Sequence, residues 1–107
     1  MSRIEQLLAF LKESPEDAFL NYALATEYVG LGDDDKAEVI FRTLLESHPD
    51  YIATYYHLGK LMERKSEKEE AISIYEKGIE KAKKSGERHS LSELQSALLE
   101  LQYDWYY

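Results

Sequence analysis

The chain has 107 residues, 13 of them lysine or arginine and 21 aspartate or glutamate, for a net charge of −8, and it has no cysteine. Such a length suffices for one small domain with its own core. The acidity argues against non-specific nucleic-acid binding and against an anionic membrane surface, both of which need basic residues, and the lack of cysteine excludes disulfide and thiol chemistry. High net charge of one sign also favours solubility. The segment 1–14 has no basic start followed by a continuous apolar run, so no signal peptide is expected. No apolar run approaches the ~20 residues of a membrane span. The expected compartment is the cytoplasm.

The first predicted element is a helix carrying Ile4, Leu7, Leu8 and Leu11 at helical spacing. Ser14 and Pro15 are expected to stop it and to cap a second helix over about 16–29. Gly30-Leu31-Gly32 ends that helix, since glycine accepts the left-handed conformation of a helix terminus. Asp33 is expected to cap a third helix running to about Ser47, and His48-Pro49-Asp50 is the next break. A fourth helix is predicted over about 51–64. Ser66 and Glu69 have the spacing of a capping box for a fifth, which runs to about Lys84. Where one turn has Gly32 the next has Ser66, which predicts strain or a different shape there. Gly86 is the last break. Leu91, Leu94, Leu98 and Leu101 then form a narrow apolar stripe on a final helix, expected over 87–102 with a two-residue shift relative to the preceding pattern. Four aromatics crowd the tail 103–107.

A period of 34 residues underlies this order: Asn21, Leu24, Ala25, Tyr28, Ala37 and Phe41 return as Tyr55, Leu58, Gly59, Met62, Ala71 and Tyr75. With Pro49 closing the first copy, the pattern resembles the tetratricopeptide repeat family, departing from it in the missing tryptophan, in Met62 for tyrosine and in Lys83 for the second proline. The resemblance implies an all-α fold, a right-handed superhelical stack of antiparallel helix hairpins. On that reading the chain is a single repeat domain over 1–102: a half-repeat over 2–15, repeats over 16–49 and 50–85, a capping helix over 87–102, then the tail. The small residues at 25, 59, 37 and 71 let helix axes approach closely. A bulky residue at Gly59 should therefore be costly, whereas Glu63, on the polar side, should tolerate replacement by leucine.

The resemblance also implies a function: a non-catalytic protein-interaction module that holds a peptide or a partner helix in a concave groove. The matching groove positions include Tyr22 and Thr26 in the first repeat and Tyr56, His57, Lys60 and Arg64 in the second. The spacing of Tyr56, Lys60 and Arg64 puts them on one helix face, which an ordinary solvated face would share. Read along that helix alone, two cations beside a tyrosine suit an acidic or aromatic-bearing peptide. One branch of the family grips a terminal carboxylate with fixed cations. The places here are Tyr22, Thr26, His57 and then His89 with Glu93, which supply no such pair of cations. No catalytic set, cofactor motif or metal spacing is evident, so neither cofactor nor metal is expected. The alternative is a self-assembly module, a homodimer formed through the helical ends or through Trp105, Tyr106 and Tyr107. Those aromatics would equally serve by folding back on the last helix or by meeting another protein.

Overall fold

The computed structural model describes residues 2–103. Among them are six helices and no strand: α1 (Arg3–Glu13), α2 (Ala18–Gly30), α3 (Asp34–Ser47), α4 (Ala53–Arg64), α5 (Lys68–Ser85) and α6 (Arg88–Tyr103). The fold is all-α. The chain divides between Tyr51 and Ile52 into two compact units, each of three helices.

In the first unit α2 packs against both α1 and α3. Leu7, Ala23 and Leu24 are buried together, with Ile4, Leu11, Leu20, Tyr28 and Ile40 packed around them. Ser2 opens α1 with a reciprocal cap: its hydroxyl accepts from the Glu5 amide and its own amide donates to the Glu5 carboxylate, each at 3.1 Å. Ser14 closes α1 and does not cap α2. The cap is Asp17, whose carboxylate accepts from the Leu20 amide at 2.8 Å, a charge-assisted bond to an otherwise orphaned donor. Asn21, which stands where the family pattern has tryptophan, ties down the intervening turn. Its side-chain amide donates to the carbonyls of Pro15 at 3.0 Å and Asp17 at 2.9 Å.

The turns after α2 and α4 have the same shape despite their different residues. Gly32 lies at φ +79° and Ser66 at φ +64°, both left-handed. In each turn the following amide reaches back five residues: Asp33 donates to the Tyr28 carbonyl at 2.9 Å and Glu67 to the Met62 carbonyl at 2.8 Å. Ser66 is therefore no capping box. A cap residue needs extended backbone, and Ser66 is committed to the turn. The N-cap of α5 is Glu67, and that of α3 is Asp33; neither makes a side-chain cap bond.

The second unit is built on two glycines inside helices, where glycine is otherwise unfavourable. A Cβ on Gly59 would clash with the Tyr75 ring, with Cδ1 and Cζ both at 2.7 Å. A Cβ on Gly78 would lie 2.6 Å from the Tyr55 Cβ and 3.1 Å from a Leu94 methyl. Gly59 thus brings α4 close to α5, and Gly78 lets α5 close on α4 and α6 together. On α6, Leu94 and Ala97 are buried while Ser92 and Glu93 are exposed. These follow Leu58 and Leu61 by 36 residues, the shift expected from the longer turn at Gly86, which is left-handed at φ +72°. The α6 helix extends through Tyr103, one residue past the predicted end.

Candidate partner-binding groove

The predicted groove residues of the first unit belong to α2. Tyr22 is half-buried, its ring centroid 5.6 Å from that of Tyr51 and 6.5 Å from that of Phe41. Burial, with Asp17 adding, pushes the Tyr51 phenol above its ordinary range, so its hydroxyl stays neutral. The Thr26 hydroxyl donates to the Ala23 carbonyl at 2.8 Å, within its own helix.

In the second unit α4 carries the other four. His57 is half-buried, edge-on to Tyr56 at 5.5 Å, and burial lowers its pKa while Glu93 opposes the shift. The Lys60 ammonium stands 5.6 Å from the centre of the Tyr56 ring and 3.7 Å from the Glu63 carboxylate. Arg64 is exposed in the last turn. Along one side α4 meets α6, and there Tyr56 and Lys60 share an open cleft of about 270 Å³ with His89, Glu93, Ser96 and Glu100. His57 and Arg64 are not among its lining residues. Trp105, Tyr106 and Tyr107 lie outside the described residues.

Glu63 is not the dispensable polar residue that its place in the sequence suggested. It accepts a hydrogen bond from the Tyr75 hydroxyl and receives Lys60 as well. Burial, then Glu63, Tyr56 and Glu100, pushes the Tyr75 phenol far above its usual range. The phenol therefore remains a donor, and the carboxylate is its natural acceptor. Neither this pair nor the part played by α6 in the cleft is visible along one helix. Glu93, Ser96 and Glu100 follow the spacing of an ordinary solvated stripe. Among the described residues there is no group of three or more metal-ligating side chains, and no helix is long and apolar enough to cross a membrane.

Two family models described as tetratricopeptide repeat match the chain, one over residues 17–51 and one over residues 52–84. A tetratricopeptide repeat domain protein from Salinibacter ruber, solved by NMR, is 47% identical; the match covers 81% of this chain and 88% of that one, with a TM-score of 0.78. The chain belongs to the tetratricopeptide repeat family. A Bordetella parapertussis protein is 25% identical over 97% of this chain and 90% of that one, with a TM-score of 0.84. The TPR2B domain of yeast Sti1, solved as a complex with pHsp70, shares the fold at a TM-score of 0.86 and 16% identity, over 94% of this chain and 81% of that one. No curated protein sequence matches. Against the repeat pattern, Gly59 and Tyr75 are a close-approach pair, and Ala25 and Phe41 hold the corresponding places in the first repeat.

Proposed function

We propose that this tetratricopeptide repeat protein is a non-catalytic, cytoplasmic interaction module that holds a peptide or a helix of a partner protein. Tyr22, Thr26, Tyr56, His57, Lys60 and Arg64 would be the contacts. The observation that carries this reading is the open cleft on the α4–α6 side of the second unit, because two of its lining residues, Tyr56 and Lys60, stand at groove positions of the family. The Sti1 domain, solved in complex with pHsp70, supports the same use of the fold. The terminal-carboxylate grip is not the mode proposed. One of the places for its cations is held by Glu93, a carboxylate 3.8 Å from His89. Site-specific photocrosslinking in cells tests the reading. A crosslinker at Tyr56 should capture a partner that one at Glu76, exposed on α5, does not. Equal capture from both positions would dismiss the groove.

A second reading, self-association, has its own support in Leu99 and Tyr103, which are 55% and 51% exposed on the last helix. Sedimentation should then show a dimer that Leu99→Glu abolishes. A monomer at all concentrations removes this alternative.

A further inference from the structure

Lysine and arginine at 60 and 64 made the α4 face read as a receptor for acidic ligands. The packed second unit reverses that charge. Lys60 already has a carboxylate, Glu63, at 3.7 Å, and Glu63 also holds the Tyr75 hydroxyl. The opposite wall of the cleft, on α6, brings two further carboxylates, Glu93 and Glu100. Among the described residues no lysine or arginine is ion-paired with either; Glu93 has the exposed His89 at 3.8 Å and is near enough to His57 to act on its pKa. Glu100 lines the cleft and is near enough to the Tyr75 phenol to help raise its pKa.

We infer that the cleft between α4 and α6 receives a cationic side chain, an arginine or lysine of a basic partner segment. Three features of the cleft fit that occupant. The Tyr56 ring already carries a cation, the Lys60 ammonium 5.6 Å from its centre, and so shows the kind of group that its face accepts. Glu93 and Glu100, both lining the cleft, offer carboxylate acceptors to a guanidinium or ammonium. Ser92 and Ser96, exposed on the same wall, add hydroxyl acceptors. A carboxylate ligand would meet two like charges for one neutralised lysine. The chain's net charge of −8 adds long-range attraction for a basic segment. A metal ion is a poorer occupant, since no group of three ligating side chains converges among the described residues.

This inference rests on the groove reading and sharpens it. The test uses the full chain, nitrogen-labelled for NMR, and short end-capped alanine-rich peptides of equal length. The peptides carry arginine, glutamate or glutamine at the same positions. The arginine peptide should shift the amides of Tyr56, Ser92 and Ser96, with an affinity that falls as salt rises. Glu93→Gln and Glu100→Gln should each weaken it by roughly two- to fivefold, as expected for exposed charge pairs. Lys60→Gln should strengthen it by a similar factor, a sign opposite to that expected if the cleft took acidic ligands. Preference for the glutamate peptide at the same amides, or weakening by Lys60→Gln, overturns the charge assignment and leaves the groove standing. Should no peptide perturb the cleft, this inference and the groove reading both fall.

Discussion

The two repeats are the same design carried out with different side chains, and comparing them shows what each substitution requires of its neighbours. In the first repeat Ala25 and Phe41 are fully buried, and Val29 stands four residues beyond Ala25. At the corresponding places the second repeat has Gly59, Tyr75 and Glu63. The three changes are linked. A tyrosine in place of phenylalanine brings a hydroxyl into the interior, and a buried donor needs an acceptor. Glu63 is that acceptor. The Tyr75 ring lies so close to α4 that no Cβ fits at position 59. The first repeat keeps a methyl group where the second gives it up, and it is apolar where the second carries a carboxylate that Lys60 also meets. The charged face of the second unit thus grows out of its core.

The comparison breaks most sharply at position 59. Gly59→Ala should destabilise by about 1–3 kcal/mol in urea unfolding, because the added carbon meets the Tyr75 ring itself. Ala25→Gly in the first repeat should lose only the ~0.5–1 kcal/mol of helix propensity plus a small void. A neutral Gly59→Ala would refute the close approach.

Next in size is the linked pair. Tyr75→Phe alone should cost about 1–2 kcal/mol, since Glu63 loses its phenolic donor. Glu63→Val added to it rebuilds the valine and phenylalanine of the first repeat and should recover most of that loss. A double-mutant cycle measures the coupling; additive effects would mean that the hydrogen bond contributes nothing.

The turns supply a smaller and reciprocal test. Ser66→Gly should stabilise by about 0.5–1 kcal/mol, since only glycine is unstrained at a left-handed φ. Gly32→Ser should cost a comparable amount. Thermal midpoints moving in the same direction for both would contradict the shared geometry.

The smallest effect concerns pH. His57 has Ala23 as its counterpart and is half-buried, with its pKa lowered by burial. The unfolded chain, with an ordinary histidine near ~6.5, binds the proton more readily than the folded one. Stability therefore falls as pH drops below about 6.5 and levels off once it is under the lowered folded value. His57→Gln should flatten that part of the profile of melting temperature against pH. An unchanged acid limb would show that burial of the ring has no energetic consequence.

The amino-acid order by itself determined the family and the helical plan, because both rest on local and periodic signals. Helical spacing of leucines, glycine after a helix and the return of Leu24-Ala25 as Leu58-Gly59 are legible without coordinates. The two-residue shift of α6 was legible too, since a strict period would have buried Ser92 and Glu93. Caps were less so, because several residues near each helix start have suitable side chains. Ser14 and Ser66 had the right neighbours, but Asp17 and the left-handed turn at Ser66 took precedence. The Ser2-x-x-Glu5 box, by contrast, was present in the residues and needed only to be read. What only the tertiary structure decided is the chemistry of the cleft. Charge along α4 pointed to acidic ligands, but electrostatics acts through space. Glu63 is drawn to the Tyr75 hydroxyl twelve residues on. Glu93 and Glu100 reach the cleft only because Gly78 lets α5 close on α4 and α6 together. No pattern along one helix contains that juxtaposition. It follows from the packing of three helices, and with it the sign of the charge that a partner would meet.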